Sequence, residues 1–453
     1  MPLILGTYIE PINSINGFYS SILLKQIDTT HGINNLIMSF GEEHNLNNYK
    51  LCKNMPDIGP LCNEIPDYIT KLNEFASHFR TTVYIEGNFD LNDVKTKQKP
   101  YNKTALFSRQ QAAHKMHEDD IRNPREIIDY KDIDGKKIGR GYIEYKSVML
   151  NMLSLYTSCI YRDTKELCKY PNILWQYSDV RKDNPNQNVN ASNFDVTDDY
   201  NMLINNYKHI TKDDISGLQF TTNFEYYILM IDNFDEYIRQ VLEVPRIKKQ
   251  RDKLIPYYHT IFTDESFKQF FLFNRRRIIS DDSLDELIPI KNKLIEIIQF
   301  SNDENSQTTM HTEFTNREEY LLQNFTIAVN TTIMDIYFIL RLYKQSSSTN
   351  DNVFVNYFCG DNHVKNVKEY LVNIVKTHEC IYEQDNGSTN RYVTFEPDIN
   401  IPILLQGSED NAYMPIPAAI DTGLSGGRKK ASKKRVSKKR VSKKRRTKRR
   451  KYK

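Results

Sequence analysis

Apolar residues along this chain keep two different periods, and the switches between them divide it. Ile33 to Phe40 is a short apolar run that stops at Gly41, and its length predicts a strand. Ile65 to His78 carries Ile69, Leu72 and Phe75 at helical spacing behind Pro66, which predicts a helix. Thr81 to Ile85 predicts a second strand, ended by Glu86-Gly87-Asn88. Strand, helix and strand in that order open a parallel α/β layer.

From Lys137 to about residue 330 the helical period dominates, in Tyr145 to Tyr161, Phe224 to Leu242, Ser266 to Phe273 and Leu284 to Phe300. Polar loops at Ser178 to Asp199 and Ser301 to Arg317 separate them, and a long helix follows over Tyr320 to Tyr343. Val353 to Phe358 then predicts a buried strand running into Gly360-Asp361-Asn362-His363. A helix is predicted over Val364 to Thr377, with Val367, Tyr370, Leu371 and Ile374 on one face. Ile381 to Glu383 and Arg391 to Phe395 flank Asn386-Gly387 and predict a hairpin. The expected fold is α/β, a central mostly parallel sheet flanked by helices, with a large helical insertion. Residues 1–136 and 331–405 form its two parts, 137–330 the insertion, 406–427 a linker and 428–453 a disordered tail.

Charge sharpens that division. The net charge is +4, yet 18 of the 62 Lys and Arg residues lie in 428–453, where no acid occurs. The rest of the chain holds 44 basic against 58 acidic residues. An acidic body and a strongly basic tail have different partners. The tail repeats Ser-Lys-Lys-Arg-Val, lacks the apolar residues that would offset folding entropy, and is expected to stay disordered. Lys433, Lys434, Arg435, Lys438, Lys439, Arg440, Lys443, Lys444, Arg445 and Arg446 are the expected contacts to nucleic acid or another polyanion. A nuclear-import role suits the same composition. Phosphorylation of Ser432, Ser437, Ser442 or Thr447 would subtract charge.

The six cysteines form no Cys-x-x-Cys pair, so reduced thiols are expected. No secretory leader and no apolar run of about 20 residues is visible, so no membrane span is expected. The expected location is intracellular, in host cytoplasm or nucleus or in a virion. Walker, dinucleotide-binding and Gly-x-Ser-x-Gly motifs do not occur.

Candidate chemistry sits where the predicted strands end. Gly41-Glu42-Glu43-His44 and Gly360-Asp361-Asn362-His363 share one grammar, a buried strand and then Gly-x-x-His, and Glu86 ends a third strand. Glycine lets the chain turn off a strand, and the next residues line the crevice at its carboxyl end. Neighbouring strands would bring Glu42, Glu43, His44, Glu86, Asp361 and His363 to one rim. Two imidazoles with carboxylates suit a divalent metal at His44, His363 and Glu42, or acid–base chemistry without one. Cys359, at the end of an apolar strand, reads as a buried small residue, and His114, His117 and Arg275-Arg276-Arg277 read as solvated surface.

This arrangement resembles the superfamily that joins erythromycin esterases, ChaN-type haem-binding proteins and TraB/Tiki proteins. The carriers are Gly-Glu-x-His after a strand, a strand ending in Glu about forty residues on, and a late Gly-x-x-His. The ordering is also similar to proteins of giant DNA viruses, in which Lys/Arg-rich tails follow a Gly-Gly like Gly426-Gly427. The resemblance covers about 150 residues at the two ends of the body. It implies catalytic residues at Glu42, His44, Glu86 and His363, with Asp335 and Arg341 as further polar positions and Asp120-Ile121-Arg122 as an Asp-x-Arg segment. Metal-dependent hydrolysis of an ester or amide is the implied activity, on a small-molecule or peptide substrate, and haem is the lesser cofactor. A non-enzymatic virion structural or packaging protein on a degenerate hydrolase fold is the alternative.

Overall fold

The computed structural model describes residues 3–6, 8–27, 35–42, 52, 62–86, 125–131, 137–144, 156, 159, 168–178, 210–211, 228–258, 261–278, 285–302, 309–310, 314–347, 352–386, 392–395 and 399–406. Met1–Ala412 forms one compact unit. Residues 407–427 of the expected linker, the tail with its ten named cations, Glu43, His44, Asp120-Ile121-Arg122, His114 and His117 lie outside the described residues.

A six-stranded sheet organises this unit. Its strands are β1 (Ser20–Gln26), β2 (Asn35–Glu42), β3 (Arg80–Ile85), β4 (Leu174–Tyr177), β5 (Val353–Gly360) and β6 (His378–Asp385), in the order β6-β1-β2-β5-β3-β4. β2, β5, β3 and β4 run parallel, while β1 is antiparallel to both β2 and β6. All eight residues of β2 and of β5 are buried, which is why both read as nearly unbroken apolar runs.

Alternate side chains feed two cores. Leu36, Met38, Phe40, Phe354 and Phe358 pack with Ile65, Tyr68, Ile69, Leu72 and Phe75 of α1 (Ile65–Phe75). α1 starts at a capping box between Glu64 and Asp67, with Pro66 in its first turn. The opposite face, with Ile37, Val355, Tyr357 and Cys359, packs against a helical layer. That layer comprises α2 (Phe234–Glu243), α3 (Pro245–Tyr258), α4 (Asp264–Ile278), α5 (Leu287–Asn302) and α6 (Asn316–Ser347). α6 packs against α3, α4 and α5. It also packs against α7 (Asp361–Lys368), which continues without a break into a π-helical turn, Glu369–Ile374.

Three local expectations need correction. Residues 137–144 form a strand paired antiparallel with Arg125–Lys131, where a helical region was expected to begin. β4 falls within the same expected insertion, because four residues (LWQY) are too few to reveal a period. The hairpin after Ile381 does not form. β6 pairs with β1, and Tyr392–Thr394 pairs with Ser14–Asn16. Backbone groups of β6 are engaged by β1, and the Gln384 side chain links the two segments instead, accepting from the Thr394 amide at 2.7 Å.

The reduced-thiol expectation also fails. Cys52 is bonded to Cys62 and Cys159 to Cys168, with Cα separations of 5.4 and 4.6 Å. Spacing searches for metal motifs overlook such pairs, because closeness across a loop is a tertiary fact. Each crosslink closes a short loop and is worth about 3 kcal/mol in the chain-entropy account. Such bonds persist in an oxidising environment. Among the described residues, no helix is long and apolar enough to cross a membrane.

Candidate functional site

Two strand ends and two helices converge on one buried histidine. β5 ends at Gly360, which caps α7, so His363 occupies the third helical position. A helix start disfavours a charged imidazole, yet carboxylates face both of its ring nitrogens. Nδ1 lies 2.6 Å from Asp335 Oδ1, and Nε2 lies 3.3 Å from Glu86 Oε1. Asn366, one turn along α7, donates to Asp335 Oδ2 at 2.7 Å. Glu86 is fastened to the neighbouring strand end: its amide donates to the Phe358 carbonyl at 2.8 Å, and its Oε2 accepts from the Gly360 amide at 2.5 Å. Asp335, Glu86 and His363 are 0%, 3% and 4% exposed, so each charge is compensated by a specific partner rather than by water.

Burial opposes the charge on His363, but Asp335 and Glu86 outweigh it and push the imidazole up to about 10. Burial likewise pushes the Asp335 carboxyl upward, while His363 and Asn366 hold it back. The two carboxyl groups thus favour the protonated form of the His363 ring. Cys359 is buried beside it, and its thiol is pushed well up by burial, then by Glu86 and Asp335, which makes it inert as a nucleophile. Tyr357, two residues earlier on the same face of β5, stacks on Phe338 of α6 with ring centroids 3.9 Å apart.

The sequence-derived residues are distributed as follows. Glu86 and His363 meet directly, and Asp335 joins them on the far side of the ring. Glu42 is buried at the end of β2, in register with Gly360, and strand alternation gives it the parity of Phe40 rather than that of Gly41. His44 lies outside the described residues. Asp361 turns to a different network, accepting from Ser20 Oγ at 2.5 Å and pairing with Lys365 at 2.7 Å. Arg341 donates to the Gln176 side chain on β4. A cleft of about 400 Å³ lined by Gln269, Leu272, Phe273, Arg276, Glu369 and Ile374 shares no residue with the His363 cluster.

Asn366 and Tyr357 went unrecognised in the sequence. Asn366 had a readable signal, since it falls on the face of α7 that holds Val367 and Tyr370. A polar side chain among core positions needs a partner. Tyr357 had none, because one tyrosine in an apolar strand is ordinary.

The chain matches no family model, no curated protein and no solved structure.

Proposed function

We propose that the carboxyl ends of β5 and β3 carry a hydrolase-like site for an ester or amide, with Glu86 and His363 in contact with the reacting atoms. The supporting observation is the buried Asp335–His363–Glu86 relay beyond two adjacent strands, the place where α/β sheets bind ligands. In this reading Glu86 takes a proton from water, and the His363 imidazolium gives one to the leaving oxygen or nitrogen. Asp335 fixes the ring and compensates its charge. The superfamily resemblance adds support, since Glu86, Asp335 and His363 are three of the positions it implies.

The described residues do not by themselves fit a metal. Among them no group of three His, Cys, Asp or Glu side chains is placed to hold an ion, and both nitrogens of His363 face carboxylates. A divalent metal would need His44 and Glu42 to complete the set, and a haem iron would find no free nitrogen on His363.

The test uses the full chain with p-nitrophenyl acetate and p-nitrophenyl butyrate. Glu86→Gln is expected to lower kcat/KM at least about 100-fold, in the range of positioned acid–base groups. Equal turnover by the variant would overturn the reading. Elemental analysis beside His44→Ala and His363→Ala is expected to find no stoichiometric metal; one lost from both variants would replace the metal-free form.

The near-complete burial of the triad favours one other reading, a structural ion cluster in a non-enzymatic virion protein. In both readings the tail binds nucleic acid or a similar polyanion. Raising salt from about 50 to 200 mM is expected to weaken full-chain binding to duplex DNA at least about 1000-fold, measured by fluorescence anisotropy. A salt-insensitive affinity would remove the tail from that role.

A further inference from the structure

We infer that the junction of α3 and α6 binds the phosphate group of a small molecule, held by Lys249, Lys253, Arg341 and Lys344; the inference is independent of the hydrolase reading. α6 packs along α3. From Thr331 to Gln345 every residue of α6 is buried except Arg341 and Lys344, which are half-buried. Three positions apart, these two share one face of the helix. On α3, Lys249 and Lys253 are exposed and one turn apart. The Lys344 side chain meets that of Lys253 across the junction. Arg341 donates to the Gln176 side chain of β4 and meets the Tyr84 hydroxyl, so its guanidinium is fixed in place.

Such crowding of like charges carries a cost that an anion removes. Burial first, and then the charges of Arg341, Lys253 and Lys249, hold the Lys344 ammonium below its ordinary range. The strongest charges acting on it are all cations, although acids outnumber bases in the chain before residue 428. The carboxyl end of a helix favours one cation, and Lys344 supplies it in the last turn of α6. That preference does not account for three more around it. A doubly charged oxyanion does. Each ammonium acts as a point donor, and the planar guanidinium can grip two oxygens at once. Convergence on one junction suits a single phosphate group, whereas a nucleic-acid backbone spaces its charges along a line.

Thermal unfolding of the full chain decides the matter. A ligand of the folded body raises the melting temperature, whereas ions held by a disordered tail bind both states alike and leave it unchanged. At about 10 mM, inorganic phosphate is expected to raise it by at least about 2 °C over chloride of equal ionic strength. The rise is expected to vanish in Lys344→Met and to shrink in Lys253→Met, a change on the exposed side of α3. It is expected to persist in Lys268→Met, where the lysine pairs with Asp235 instead. In chloride alone Lys344→Met is expected to melt no lower than the parent, because a repelling charge is gone. Phenyl phosphate separates the sources: a larger rise assigns the site to a phosphate monoester, a smaller one to the free ion. No rise in the parent, or an equal rise in the parent and in both junction variants, overturns the inference. So does a parent indifferent to phosphate whose duplex-DNA affinity falls at least about tenfold in Lys344→Met, which would make the junction a nucleic-acid surface.

Discussion

Asp335→Ala is expected to destabilise the fold by about 3–5 kcal/mol, the cost of removing one partner of a buried ion pair. The carboxylate is inaccessible and accepts from both His363 Nδ1 and Asn366 Nδ2, so truncation removes one of the two carboxyl groups facing the ring and an acceptor of the Asn366 amide at once. Urea unfolding of the parent and variant checks this, and a loss below about 1 kcal/mol would mean that water already compensates the ring. The same cluster sets the alkaline limit of stability. The folded pKa of His363, about 10, lies above its unfolded value near 6.5. Its contribution is therefore full below pH 6.5 and is lost as pH rises towards 10. His378 works in the opposite sense: burial pushes it down to about 3, so its contribution is full above pH 6.5 and is lost as pH falls. Melting temperature should peak near neutrality, and His363→Gln should flatten the alkaline side alone.

Gly41→Ala is expected to cost about 3 kcal/mol, the upper end of overpacking penalties, because the obstacle is backbone. A Cβ at this position would lie 2.8 Å from the Asp361 Cα and against Ser20 Oγ. α7 starts directly over the end of β2, and only a residue without a side chain lets it approach. Gly6→Ala is the control, since its Cβ would meet just the Ile9 side chain at 3.8 Å and should shift stability by less than about 0.5 kcal/mol. Equal melting temperatures for the two variants would show that α7 can move aside without loss. The glycine in Gly-x-x-His thus has a packing reason: it brings the helix that carries His363 down onto the sheet.

Much of the parallel layer was legible because both of its central strands are buried on two faces and α1 on one. Asn35–Glu42, Arg80–Ile85, Val353–Gly360 and Ile65–Phe75 lie within a few residues of their expected places. β1 and β4 escaped notice: SSILLKQ mixes polar and apolar residues without alternation, and LWQY is short. The site was half legible. Glu86 and His363 stand beside strand-ending glycines, whereas the importance of Asp335 needed the knowledge that α6 passes over α7.

Local physics is written in the chain itself. Apolar period chooses strand or helix, glycine marks a turn or close approach, and a run of like charges without apolar residues cannot pack. These properties depend on neighbours a few positions away, so they established the α/β class and the separate character of the basic tail. Pairing across long separations is different. The contact of His363 with Glu86, the Cys52–Cys62 and Cys159–Cys168 bonds, and the choice of β1 as partner of β6 each join residues that no local pattern couples. They depend on which faces the packed core brings together, and only the tertiary structure decided that.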